Sequence, residues 1–116
     1  MNDQWIPARV GDLLSDVDTP ALILDLVKFE ANLARLMSAV HAASPQGRSV
    51  CVRPHAKSHK CVEIARRQIA AGATGICCQK TSEAEPFLAG GIADVLITNE
   101  VVGQQKISRL AQLAAS

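Results

Sequence analysis

Residues 75–98 read GICCQKTSEAEPFLAGGIADVLIT. The apolar run Gly75-Ile76-Cys77-Cys78 has the length of a buried strand. Ser82-x-x-Glu85 has the form of a capping box, which predicts a helix opened at Ser82 with Pro86 in its first turn, where a missing N–H costs little. Gly90-Gly91 closes that helix, and Val95-Leu96-Ile97-Thr98 begins the next apolar β run. The join Ala71-Gly72-Ala73-Thr74-Gly75-Ile76 echoes Ala89-Gly90-Gly91-Ile92, at a spacing of about 20 residues that suits successive βα units. Continuous apolar strands alternating with helices predict a parallel sheet with helices covering its faces.

The same text extends outward. Cys61, Ile64, Ala65, Gln68 and Ile69 share a helix face that ends at Gly72, a natural left-handed stop. Ser49 to Val52 is a β-rich run that stops at Pro54, because proline cannot donate to a ladder. Phe29, Leu33, Leu36, Met37 and Val40 lay one stripe along a helix that Asp25 caps and 44–47 (SPQG) stops. Ala21 to Leu24 reads as a strand before it, and Ile107, Leu110, Leu113 and Ala114 form a last helical stripe. Residues 1–18 have no sustained period, and their apolar group at Trp5 and Ile6 is cut by Pro7. The expected organisation is an arm over 1–18 and an α/β domain over 19–116, with three βα units preceded by one strand and one helix. Three units cannot close a barrel of eight.

Composition removes several classes of function. With 12 Lys+Arg against 11 Asp+Glu and 48% hydrophobic residues, the chain is neither a charged tail nor a polyanion binder by overall field. No apolar run approaches the roughly 18 residues of a membrane span, and Met1 to Trp5 does not read as a signal peptide. Cys51, Cys61, Cys77 and Cys78 include no C-x-x-C pair, so they read as reduced thiols of a cytoplasmic protein, with Cys77 and Cys78 as buried strand residues.

One segment stands apart. Arg53-Pro54-His55-Ala56-Lys57-Ser58-His59-Lys60 places three cations and two imidazoles directly after a strand, at the carboxyl end where α/β folds bind ligands. A solvated basic loop is the plain reading. A metal pair at His55 and His59 lacks a nearby carboxylate and supplies half a tetrahedral site. A nucleic-acid surface lacks interleaved aromatic residues. An activated lysine is the third reading, since a lysine amine attacks only when neutral and crowding by other cations favours that form. Residue chemistry alone leaves Lys57 and Lys60 both open for that role.

Asp18-Thr19-Pro20-Ala21-Leu22, the 53–60 segment, Gly75 to Lys80, Glu83-Ala84-Glu85, Gly90-Gly91-Ile92 and Thr98-Asn99-Glu100-Val101 together resemble the D-threonine aldolase and D-serine dehydratase-like family, over residues about 16 to 115. The resemblance implies the N-terminal part of a (β/α)8 TIM barrel of the alanine racemase type. It implies that Lys57 forms an imine with pyridoxal 5′-phosphate, with His55, Gln79 and Asn99 lining the cofactor pocket. It further implies a lyase that cleaves Cα–Cβ in D-3-hydroxy amino acids such as D-threonine or D-3-hydroxyaspartate, with a D-serine dehydratase-like activity as the alternative and a non-catalytic cofactor-binding remnant as another. A homodimer is implied for the full-length form, as is a divalent metal whose ligands lie outside this sequence. The chain has no tyrosine, so any acid/base partner of Lys57 is some other group. Three βα units leave sheet edges and helix faces open, so the purified 116-residue chain is expected to show no retro-aldol turnover of D-threonine. Release of glycine and acetaldehyde by it would contradict that expectation.

Overall fold

A computed structural model describes residues 6–115. Trp5 and the amino-terminal residues read above as no signal peptide therefore lie outside the described residues. Four helices and two strands run in the order α1 (Leu26–Ala43), α2 (Val62–Ala70), β1 (Ile76–Cys78), α3 (Thr81–Ala89), β2 (Val95–Ile97) and α4 (Gln104–Ala114), with short 3-10 turns at Leu14–Asp16 and Ala56–Ser58. β1 and β2 pair in parallel, Ile76 with Val95, Cys77 with Leu96 and Cys78 with Ile97. The βα alternation and the parallel sheet are as the sequence predicts. No helix among the described residues is long and apolar enough to cross a membrane.

The capping signals explain most helix ends. Asp25 accepts a hydrogen bond from the N–H of Lys28 at 3.0 Å, which satisfies one orphan donor of α1. Ser44 ends α1, and Gly72 and Gly91 adopt φ of 109° and 81° just beyond α2 and α3. The opening of α3 differs from the expected box at Ser82. Lys80 is the extended cap residue and contributes no side-chain hydrogen bond, so Pro86 is sixth in the helix, beyond its first turn. Glu83 instead reaches back to the N–H of Gln79 at 2.9 Å, while Arg109 of α4 grips Glu85, with Nη2 to Oε2 at 2.6 Å. The carboxylate expected to close the box is therefore engaged by a different helix.

Two expected strands are absent, each for its own reason. Residues 21–24 have no ladder partner among the described residues, and Leu22, Ile23 and Leu24 are exposed. Residues 49–52 are likewise irregular, although the chain just after them runs beside β1: Thr74 N–H donates to Val52 O (3.0 Å), Cys77 N–H donates to Pro54 O (2.7 Å), and His55 bridges Cys77 in parallel. Pro54 has no N–H to return a bond, so the ladder stays at one bridge.

The core lies between β1 and the helices on one side. Ile76, Cys78, Ala65, Ala84, Phe87, Ile92 and Ala56 are buried, with Val62, Ile69, Leu88, Val95 and Ile97 packed around them. All three residues of β1 are buried, as a central strand requires, whereas Leu96 of β2 is exposed, contrary to a strand covered on both faces. Neither α1 nor α4 buries a residue fully. The radius of gyration is 17.5 Å, against about 13–14 Å for a compact domain of this length.

Below the carboxyl ends of the strands, Arg53 forms a bidentate pair with Asp94, Nη1 to Oδ1 at 2.6 Å and Nη2 to Oδ2 at 2.9 Å. The pair passes over Gly75, where a Cβ would stand 2.4 Å from Asp94 O and 2.5 Å from Arg53 Nη1. Gly75 is thus required by close approach. Gly75→Ala is expected to lower unfolding free energy by about 1–3 kcal/mol, read as a shifted urea midpoint with an unchanged slope.

Candidate active site

The carboxyl ends of the parallel elements bring the expected residues together. Lys57 lies in the 3-10 turn that follows the bridge at His55, with buried Ala56 anchoring the turn to the core. Its side chain is exposed, and Nζ donates to Oε1 of Gln79, the residue just beyond β1, at 3.3 Å. His55 contacts Thr98, just beyond β2, with Nε2 to Oγ1 at 2.9 Å. Gln79 and Asn99 line an open depression of about 270 Å³ together with Thr81, Ile97, Val101 and Lys106. His55 and Lys57 do not line that depression; Lys57 adjoins it through Gln79.

The crowding of Lys57 by cations, expected from sequence, is not what the structure shows. Arg53 is turned toward Asp94 at the amino end of β2. Lys60, at a left-handed φ of 48°, points its amine to Glu83 at 3.7 Å. His59 is turned inward, its ring edge-on to Phe87 at 6.3 Å between centroids, and its Nδ1 accepts from the N–H of Cys61 at 3.1 Å. Lys57, in the 3-10 turn between these residues, extends over Gln79. Lys60 meets a carboxylate, whereas the partner of Lys57 is an amide oxygen. The structure thereby separates two lysines that sequence spacing left equivalent.

Two contributors escape a reading of the sequence. Thr98 ends an apolar run, and its contact with His55 crosses 43 positions of sequence. Glu83 looks like a helix residue, yet it pins the backbone of Gln79. Burial works to raise the Glu83 carboxyl, but the hydrogen bond from Gln79 and the charge of Lys60 outweigh it and leave its pKa lowered. Cys78 is pushed up to about 11, chiefly by burial, so this thiol stays protonated and inert, in keeping with the plain strand reading. Among the described residues, no group of three His, Cys, Asp or Glu is placed to hold a metal, and His55 and His59 serve different sides of the loop.

Comparison with known proteins completes the picture. No protein-family model matches the chain. It is 57% identical to D-threonine aldolase of an Arthrobacter species over 108 residues, covering 93% of this chain and 27% of that protein. It is 46% identical to 3-hydroxy-D-aspartate aldolase of Paracoccus denitrificans over 109 residues, covering 93% and 27%. D-threo-3-hydroxyaspartate dehydratase of a Delftia species matches at 44% over 85 residues, covering 73% and 21%. The crystal structure of D-threonine aldolase from Filomicrobium marinum superposes with a TM-score of 0.85 at 57% identity, covering 94% of this chain and 28% of that one. These relatives are aldolases and a dehydratase, which are lyases. The chain is thus similar to D-threonine aldolase, 3-hydroxy-D-aspartate aldolase and D-threo-3-hydroxyaspartate dehydratase, and it spans about a quarter of the length of the relatives it matches.

Burial lowers the pKa of His59 below the ordinary 6.5, and neither Nε2 nor Gln68 Oε1 makes a hydrogen bond of full geometry. A base whose pKa is lowered on folding takes up its proton more readily when unfolded. The stability it contributes is present above about pH 6.5 and is lost as pH falls through the folded value. Urea midpoints should therefore drop between neutral pH and about pH 5, and His59→Gln should flatten that dependence.

Proposed function

We propose that the chain is the N-terminal part of a pyridoxal 5′-phosphate-dependent lyase of D-3-hydroxy amino acids, of the D-threonine or D-3-hydroxyaspartate aldolase type, with Lys57 as the lysine that carries the cofactor. The observation that carries this reading is the placement of Lys57 Nζ against the neutral amide of Gln79 at the carboxyl ends of parallel strands, while Glu83 engages Lys60. The residues present fit such a cofactor. Lys57 supplies an exposed amine, no carboxylate among the described residues lies within ion-pair distance of it, Gln79 supplies an amide beside it, and His55 and Asn99 supply polar groups at the neighbouring segment ends. When bound, pyridoxal phosphate supplies an electron sink for cleavage at the amino acid Cα.

The chain's own residues then divide the work. Lys57 binds, Gln79 orients the amine by accepting its hydrogen bond, and Asn99 lines the adjoining depression where a small amino acid fits. Two parallel strands and the bridging segment at 54–55 correspond, in this reading, to neighbouring strands of an eight-stranded alanine-racemase-type barrel. The exposed apolar residues Leu22, Ile23, Leu24 and Val27 support that view, since further βα units would cover them. Homodimer formation and a cytoplasmic location belong to the same reading. A metal is not assigned to these residues, because the described ones do not form its ligand set.

The test is borohydride reduction of the intact protein with pyridoxal 5′-phosphate, followed by peptide mapping. The label is expected on Lys57 and not on Lys60; a folded protein unlabelled at Lys57 refutes the assignment. Lys57→Ala should abolish turnover of D-threonine and D-3-hydroxyaspartate. An aldehyde with glycine as products supports the aldolase, whereas a 2-oxo acid with ammonia supports the dehydratase, the reading favoured by the Delftia relative.

A further inference from the structure

The hydrogen bonds around His55 permit one direction of donation. The backbone N–H of Lys57 lies 3.3 Å from Nδ1 of His55 and can only donate, so Nδ1 presents a lone pair. The ring hydrogen of neutral His55 is then on Nε2, which donates to Thr98 Oγ1 at 2.9 Å. Thr98 Oγ1 in turn lies 3.2 Å from the carbonyl oxygen of Cys78, which only accepts, so the hydroxyl donates there. The N–H of Thr98 donates to the same carbonyl at 2.9 Å, and this fixes the hydroxyl's own backbone. Reversing the ring would set two donors against each other at Lys57. A doubly protonated ring would do the same.

We propose that Thr98 is a positioning residue for Lys57. It holds His55 in the Nε2–H tautomer, and the ring, with its bare Nδ1, fastens the backbone of the turn that aims Lys57 at Gln79. His55 acts as a strut between the ends of three parallel segments, with both nitrogens occupied, and neither nitrogen is free to carry a proton for the reaction or to bind a metal. Its distal anchor follows β2, whereas Lys57 follows the segment on the other side of β1, so the chain of bonds spans the sheet. The chemical consequence rests on the reading of Lys57 given above; the tautomer does not.

Ring ¹⁵N spectra of the intact protein at about pH 8, where free imidazole is neutral, read the tautomer directly. A single Nε2–H form of His55 is expected, and an Nδ1–H form or an average of both overturns the proposal. Thr98→Val keeps the shape but removes the acceptor. It should abolish the single tautomer and lower borohydride-trapped pyridoxal 5′-phosphate at Lys57, at a subsaturating concentration, by about three- to tenfold. Thr98→Ser keeps the hydroxyl and should restore both readouts to within about twofold of the natural protein. A Val variant unchanged in both, or a Ser variant as impaired as Val, also overturns it. If natural Lys57 traps no cofactor, the functional reading fails, and the ring spectra of the three proteins still decide the strut.

Discussion

The arrangement depends on β1 being gripped from both sides. Its three residues are buried, so every polar group of its backbone must find a partner within the protein. The Cys77 N–H does so at Pro54 on one side, and the Cys78 carbonyl does so at Thr98 on the other. Those two bonds set the axial positions of the flanking segments. Lys57 and His55 follow the first, Thr98 and Asn99 follow or lie in the second, and Gln79 comes directly off β1 itself. The site is therefore a by-product of ladder registration: three chain segments end at one level because their backbones are bonded at one level.

Side-chain pairs then fasten both ends of this small sheet. At the amino end, Arg53 and Asp94 meet over the bare Cα of Gly75, which ties the segment before Lys57 to the segment before β2. The Arg53 hydrogen bond lowers the pKa of the Asp94 carboxyl, so the pair remains charged well below neutral pH. At the carboxyl end, Lys57 with Gln79, Lys60 with Glu83, and His55 with Thr98 make three crossings between loops. Each crossing is partly solvent-exposed and contributes little alone. Together they limit the turn at Ala56–Ser58 to one direction, which matters more for chemistry than for stability.

Local signals in the sequence were sufficient for the elements whose formation is local. Asp25, Gly72 and Gly91 act on their own turns of helix, and the stripes along α1 and α2 follow from periodicity within one element. The apolar text of 76–78 and 95–97, each followed by a helix, already implied parallel strands. What it could not supply was the partner of a strand. Residues 21–24 and 49–52 carry the same kind of apolar text as β2, yet lack a ladder: one has no ladder partner among the described residues, and the other meets Pro54. Capping at α3 failed for a related reason, since Arg109 from a distant helix engages Glu85 while Glu83 serves Gln79.

By itself the sequence determined the βα order and set the 53–60 segment apart, and its likeness to aldolases and dehydratases made Lys57 the expected cofactor lysine. Only the tertiary structure decided where the side chains of that segment point. Four of its polar residues turn to four different partners: Arg53 to Asp94, His55 to Thr98, His59 into the core against Phe87, and Lys60 to Glu83. None of these partners is a sequence neighbour. Side-chain direction in an irregular segment has no period to read, and it is set by whichever complementary group the fold carries within a few ångströms. That physical selection leaves Lys57 extended over Gln79.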